Sequence, residues 1–411
     1  DPARCLGRGR IVSKDEFLAW EPGVDPGQVA GGAVWSDAQM FSSDRLLLAF
    51  VQSAVAQDAV AVNHVEAVSL LRNGRRVTGA AVRDRLSGES MEVEARVVVN
   101  AAGAWAAPLS ATAGEGGSVG PVTFAKALNL VTRLAAPPVA LGSTYAGRFY
   151  FRVPWRGVSI FGTSQDAFDD HPDRLGVSAG DVSRLLASIN AVFPGSQVLP
   201  EDVTLVHRGL LPSTGRSSDG EAILAKSSIV RDHGRSGVDG LVTVVGVRYT
   251  TARETAEEAV DAACRLLGGQ VPPSHTATAP LAGSDFDSVS ALLASATADR
   301  TTGLDSATLE RLARSYGSAY RSILQRIVRD PELGRPLAES GGVTAAEVVH
   351  AVDEEMALTL SDALARRTEA GAAGWPGDDA VRRGARLMAR RLGWNAERTG
   401  REIDALRAMY P

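Results

Sequence analysis

Apolar positions along the chain change period several times, and the changes mark its elements. Residues 241–245, Leu-Val-Thr-Val-Val, form a short apolar run. Gly246, Val247, Arg248, Tyr249 and Thr250 follow as a turn, and from Thr251 apolar residues recur at helical spacing. This stretch reads as strand, tight turn and helix. Thr251 and Glu254 have capping-box spacing, and Gly268-Gly269 ends the helix. A turn of this kind presents unpaired helix N–H groups that attract negative charge. The plainer alternative is an ordinary βα unit.

Upstream, residues 46–56 read as a helix capped by Ser43 or Asp44, and residues 1–29 as a linker with one short helical piece near 15–19. Strands are predicted at 60–71 and 75–84, joined by an Asn73-Gly74 hairpin, and at 92–100, where Asn100-Ala101-Ala102-Gly103 lets backbone approach a neighbour closely. From 121 to 212 short strands alternate with Pro and Gly in antiparallel fashion. One helix interrupts them at 182–193, opened by Ser178 and Asp181. Residues 272–287 are rich in Pro, Ser and Ala and read as a linker. Beyond 288 the pattern is helical, in runs 309–328, 345–364, 380–392 and 396–409. On the 345–364 run Thr344 and Glu347 form a capping box, and Ala346, Val349, Val352, Met356, Leu360 and Leu364 share a face.

Composition narrows the classes. With 45% hydrophobic and 22% charged residues, the 411-residue chain is a globular protein of two or three domains. A net charge of −5, with Lys and Arg interspersed among acids, excludes a nucleic-acid footprint. Cys5 and Cys264 lie far apart, which argues against a disulfide framework and for a reducing cytoplasm. No apolar run reaches the roughly 18 residues a membrane span needs.

Few motifs carry chemistry alone. Glu347, His350 and Glu354 have an E-x-x-H arrangement, but in one copy it reads as a solvated helix face, and no metal site is assigned. Residues 114–120, rich in Gly, lack the flanking strand and helix of a dinucleotide turn and read as an interdomain loop. G-x-S-x-G, H-E-x-x-H and Walker sequences are absent from the chain.

Taken together, several segments resemble the FAD-dependent glycerol-3-phosphate dehydrogenases. They are Gly31-Gly32-Ala33 through Asp44-Arg45-Leu46, Val77-Thr78-Gly79 with Val82-Arg83-Asp84, and Val98-Val99-Asn100-Ala101-Ala102-Gly103-Ala104-Trp105. Residues 151–155 with Gly162-Thr163-Ser164 resemble that family's V-P-W-R-G…G-T-T segment, and Ile229-Val230-Arg231-Asp232 its I-x-R-D. Residues 246–251 resemble G-G-K-x-T-T, with Val247 and Arg248 in place of Gly and Lys. The helical end matches at Tyr316-Gly317-Ser318, at residues 354–360 and at Arg366-Arg367-Thr368.

The resemblance implies a mixed α/β and α+β fold. A partial FAD-binding Rossmann-like domain (1–120 and 216–272) would carry an inserted antiparallel substrate domain (121–215), followed by a linker (273–287) and an all-α C-terminal domain (288–411). It implies FAD as cofactor and oxidation of glycerol 3-phosphate, with electrons passed to an acceptor such as quinone. A peripheral contact with the inner face of the cell membrane and a homodimer are left open. Arg248 and Arg231 would bind the anionic end of the substrate through guanidinium forks, with Arg208 and His207 as further candidates. Val65, Asn100, Ala101, Gly103, Gly246, Arg248 and Thr250 would approach the flavin nucleotide.

The departures matter as well. Asn129 stands where the family often has a histidine, and Leu211 where it usually has a phosphate-binding arginine. The family's opening G-x-G-x-x-G turn is not in this sequence, so the chain reads as N-terminally truncated and is expected to purify without stoichiometric FAD. Two other readings stay open: an FAD enzyme for another 2-hydroxy or amino acid, and a non-catalytic homologue acting as an interaction module.

Overall fold

A computed structural model of the chain describes residues 6–411 apart from 22, 25, 121, 218, 219 and 340, so Cys5 lies outside the described residues. Its strands and helices, in chain order, are β1 (Arg10–Ser13), α1 (Lys14–Trp20), β2 (Gly31–Val34), α2 (Ser43–Val55), β3 (Val65–Asn73), β4 (Arg76–Asp84), β5 (Ser90–Glu94), β6 (Val98–Asn100) and α3 (Ala106–Ala111). The middle of the chain holds β7 (Thr123–Ala135), β8 (Leu141–Tyr145), β9 (Arg148–Trp155), β10 (Val158–Phe168), α4 (Ala179–Val192), β11 (Val203–Arg216) and β12 (Ala222–Leu224). Then come β13 (Ile229–Asp232), β14 (Leu241–Val245) and α5 (Ala252–Leu266). The remainder is α6 (Val289–Thr297), α7 (Ser306–Tyr316), α8 (Tyr320–Arg329), β15 (Pro336–Ala338), β16 (Gly341–Thr344), α9 (Ala345–Glu354), α10 (Asp378–Leu392) and α11 (Ala396–Arg407).

Two sheets position the site. The first has the order β13-β14-β6, and β14 runs parallel to β6 with Thr243 opposite Asn100. All five residues of β14 are buried, as expected of a strand covered on both faces. The second is a six-stranded antiparallel sheet, β12-β11-β7-β10-β9-β8. One of its faces is packed by α4, where Leu185, Leu186 and Ile189 meet Leu128 and Leu130. Burying each such side chain is worth about 1.5–3 kcal/mol. The box at the start of α4 forms as its sequence predicts, with Ser178 Oγ accepting from the Asp181 amide and Asp181 accepting from the Ser178 amide.

Several boundaries differ from the sequence reading. The predicted strand 92–100 is two strands in two sheets: β5 pairs antiparallel with β4, while β6 joins the parallel sheet. Arg76 Nη2 donates to the Arg96 carbonyl at 2.9 Å and helps hold the corner between them. The strand predicted from residue 60 begins only at Val65. The N-terminal stretch is more than a linker, because β1 and β2 pair antiparallel. The run 309–328 breaks into α7 and α8 at Gly317, whose φ of 55° and close approach to the Gly283 backbone leave no room for a side chain. The C-terminal domain is not purely helical, since β15 and β16 form a small hairpin.

The 345–364 run also breaks, and for an electrostatic reason. After α9 ends, Glu355 turns inward to Arg45 of α2, Met356 takes a φ of 53°, and the Asp362 carboxylate accepts from the Leu358 and Thr359 amides. The E-x-x-H residues are not a solvated face. Glu347 is fully buried, paired with Arg311 at 2.7 Å and bonded to the Tyr316 hydroxyl; His350 bonds Glu355, and Glu354 pairs with Arg326. Among the described residues no group of three or more His, Cys, Asp or Glu side chains could hold a metal ion. Nor among them is any helix long and apolar enough to cross a membrane.

Candidate functional site

The C-terminal ends of β6 and β14 lie side by side and open outward. Gly103 and Gly246 follow them, and nothing lies within 4 Å of the place a Cβ would take at either glycine. Neither ensuing helical turn is capped by a side chain. The capping box expected of Thr251 and Glu254 does not form. The chain enters α5 through a tighter turn at Tyr249–Thr251, and Thr251 Oγ1 donates to the Arg248 carbonyl at 3.2 Å instead. Uncapped N–H groups beside two open glycines are what the edge of a flavin ring, with its carbonyl oxygens, would fit. Ala101, Gly103, Gly246 and Thr250, all exposed, would hold it.

Asn100 does not offer its side chain there. It is buried, donating to the Ala106 carbonyl at 2.7 Å and to Ser110 Oγ at 2.8 Å, and accepting from the Ala102 amide. The bonding continues from Ser110 to Thr243 at 2.6 Å, from Thr243 to His233 Nε2 at 3.0 Å, and from His233 Nδ1 to the Gly116 carbonyl. Asn100 is thus the end of a polar chain that ties α3, β14 and the Gly-rich loop together. Burial pushes His233 below its ordinary pKa, which suits a neutral ring with one donor and one acceptor.

Opposite the turn stands the face of the six-stranded sheet that α4 leaves uncovered. Cross-strand pairing puts His207 beside Asn129, Asn129 beside Gly162, Gly209 beside Ala127, and Ala127 beside Gln165; Leu211 pairs with Ala125. By the two-residue alternation of strands, His207, Gly209, Leu211, Asn129 and Gln165 share this face. Arg208 pairs with Leu128, which packs on α4, so it lies on the opposite face. This removes Arg208 from the site. Thr163 Oγ1 donates to Asn129 Oδ1 at 2.6 Å, and Trp155 packs edge-on against the His207 ring with centroids 6.0 Å apart. Burial pushes the His207 imidazole down from its ordinary value of 6.5, against a smaller upward pull from Asp44.

Where this face meets the turn there is a cavity of about 570 Å³, lined by Gln165, Leu211, Leu224, Lys226, Val247 and Arg248 among others. Arg248 and Lys226 are exposed, and neither side chain makes a hydrogen bond or ion pair among the described residues. Arg231 does not join them. Its Nη2 donates to Ser236 Oγ at 3.0 Å, near Gly120 and away from the cavity lining. Val65 opens β3 in a separate antiparallel sheet. The two residues before it are tied to the C-terminal domain, Asn63 through the Met356 carbonyl and His64 through Asp362.

Sequence reading missed Lys226, Gln165 and the open floor at Gly209. The signals were faint: an alternation 207-209-211 with glycine at its centre, and a lysine in a chain whose basic residues are nearly all arginine.

Comparison with known proteins agrees with this arrangement. The family model for FAD dependent oxidoreductases matches residues 3–262, and that for the C-terminal domain of alpha-glycerophosphate oxidase matches residues 274–399. Glycerol-3-phosphate dehydrogenase 2 of Mycobacterium tuberculosis is 30% identical over 407 residues, covering 98% of this chain and 68% of that protein. Glycerol-3-phosphate dehydrogenase of a Synechocystis species is 29% identical over 381 residues, covering 89% and 68%. The crystal structure of glycerol-3-phosphate dehydrogenase from Bacillus halodurans, complexed with FAD, superposes with a TM-score of 0.79 over 97% of this chain and 78% of that one, at 24% identity, a likeness of fold. The chain belongs to the FAD-dependent oxidoreductases and, within them, to the glycerol-3-phosphate dehydrogenase family.

Proposed function

We propose that this protein oxidises sn-glycerol 3-phosphate at carbon 2 to dihydroxyacetone phosphate, a step of glycerol catabolism, and passes the electrons on to an acceptor such as quinone. When bound, FAD supplies the hydride acceptor. The relatives named for glycerol 3-phosphate match as much as 99% of the chain. That favours this substrate over another 2-hydroxy or amino acid, and a catalyst over an interaction module.

The observation that carries the reading is Arg248. A cation at a helix start costs about 0.3–1 kcal/mol against the helix dipole, and this one has no acidic partner among the described residues to offset the cost. An anionic substrate group supplies the missing partner. Residues 207 and 211 lie four positions apart on one strand, roughly 14 Å. A three-carbon phosphate ester anchored beside Leu211 therefore places its hydroxyl carbon over Gly209, where nothing fills the space a Cβ would take. His207 bounds the far side of that space. Kept neutral by burial, it is the group that accepts the hydroxyl proton. Anaerobic addition of glycerol 3-phosphate to the FAD-loaded enzyme should bleach the flavin absorbance and release dihydroxyacetone phosphate. A spectrum unchanged at saturating substrate would refute the assignment.

A further inference from the structure

We propose that Glu369 of the helical domain is a positioning residue for the reaction, acting through Arg156 to hold Trp155 against the His207 ring. This rests on the function proposed above, in which His207 takes the hydroxyl proton. The strands β9 and β10 are joined by a two-residue turn, Arg156-Gly157, with φ of 51° and 81°. Such a turn favours Asn, Asp or Gly, so the turn itself does not explain an arginine. Its contacts do. The guanidinium lies over the Trp155 ring at 4.8 Å and the Phe41 ring at 5.0 Å, pairs with the Glu369 carboxylate and donates to the Phe41 carbonyl at 3.0 Å. Arg156 and Glu369 are only 11% and 15% exposed, and the buried Arg156 Nε has no hydrogen-bond partner among the described residues. Stacking and the Glu369 pair therefore fix the plane of the guanidinium.

Trp155 carries that constraint to the site. Phe151 pairs with Gly162, so by strand alternation Trp155 lies on the open face of the sheet, where its ring meets His207 at 82°. Contact runs unbroken from Glu369 through Arg156 and Trp155 to His207. A second arm leaves the same carboxylate, which accepts the Ser315 hydroxyl, while the Ser315 carbonyl accepts Arg45 Nε at 3.2 Å. Arg45 follows Asp44 on α2, the charged group that acts on His207. On the neighbouring strands His207 faces Asn129 and, beyond it, Gly162, neither of which titrates. The helical domain thus grips both charged or bulky neighbours of the base, the β9–β10 hairpin at Trp155 and α2 at Asp44. A base displaced by about 1 Å loses much of its effect, so a grip of this kind bears on rate more than on substrate affinity.

The test uses the FAD-loaded enzyme. Glu369→Gln should lower kcat for glycerol 3-phosphate about 10- to 100-fold with little change in KM. With Trp155 loosened, water reaches His207, and the acid limb of kcat/KM should move up toward 6.5; loss of a carboxylate charge alone would move it down. The His207 ring, followed by NMR, should titrate with the same upward shift. Trp155→Leu should reproduce both effects, and adding Glu369→Gln to it should change little more. Arg156→Met should behave like Glu369→Gln, and Arg156→Lys, which keeps the charge, should restore part of the loss. If wild-type enzyme oxidises glycerol 3-phosphate but Glu369→Gln leaves kcat and the acid limb in place, or moves the limb down, the positioning role fails while the function stands, whatever happens to the thermal midpoint. If wild-type enzyme does not oxidise it, both fail together.

Discussion

Glu355 joins the helical domain to the rest of the molecule, and its removal should be costly. The carboxylate is fully buried and accepts Arg45 Nη1 at 2.7 Å on both oxygens, with His350 Nε2 at 3.3 Å. Arg45 itself is only 13% exposed and stacks on Tyr316 at 4.1 Å, its remaining acceptors being the carbonyls of Ser315 and Arg367. Glu355→Ala therefore leaves a guanidinium buried with no counter-charge, a loss of about 3–5 kcal/mol. With a urea dependence of about 3 kcal/mol per molar, the unfolding midpoint should fall by roughly 1–2 M. Far-UV circular dichroism reads this directly. Burial works against ionisation of Glu355, but the His350 bond and the Arg45 charge outweigh it and hold the carboxyl below its ordinary value of 4.5. The stabilisation is then fully present above the unfolded carboxyl's pKa and disappears as pH falls through the lower, folded value. In Glu355→Gln that component of the acid sensitivity should be missing. A midpoint shift below about 0.3 M for Glu355→Ala would mean that Arg45 finds solvent or another acceptor, and the argument from burial would collapse.

Three further outcomes are expected. Arg248→Met should lower kcat/KM by roughly 10²-fold, about 3 kcal/mol of transition-state stabilisation, while leaving the thermal midpoint nearly unchanged; the reverse pattern would make Arg248 a structural residue. Because burial lowers the His207 pKa, the acid limb of the kcat/KM profile should fall below the ordinary histidine value of 6.5, and His207→Asn should abolish that limb. Limited proteolysis should cut first within residues 273–287, which are irregular and mostly exposed, and release a helical C-terminal piece; first cuts inside α9 would move the domain boundary.

Elements with strong local signals were legible from sequence. The Ser178 and Asp181 box, the Asn73-Gly74 hairpin and the buried β14 each rest on neighbours in sequence, so periodicity and capping residues suffice to find them. Breaks imposed from a distance were not. Residues 345–364 keep helical apolar spacing throughout, yet the helix stops at Glu354 because Arg45, 310 positions away, draws Glu355 out of line. Likewise α7 and α8 separate where Gly317 meets the backbone of Gly283. In both cases a tertiary contact overrides a local preference that the sequence states correctly.

The site was legible to a different degree, because its residues divide by what their side chains already do. Gly103, Gly246 and Arg248 could be singled out from a strand-turn-helix pattern, since that pattern exposes backbone and leaves its charge unspent. Asn100 and Arg231 have the right types for a ligand, but Ser110, Ala106 and Ser236 take their hydrogen bonds, which no spacing rule reveals. Arg208 fails on parity alone: one residue from His207, it falls on the face that α4 covers. Lys226 is the converse, a residue with no motif whose relevance comes only from the cavity it borders and from having no side-chain partner among the described residues. What distinguishes a functional side chain here is its unfilled hydrogen-bonding capacity in a concave place. That property belongs to the folded contacts, so of the candidate cations it retains Arg248, discards Arg208, moves Arg231 into the scaffold and brings in Lys226.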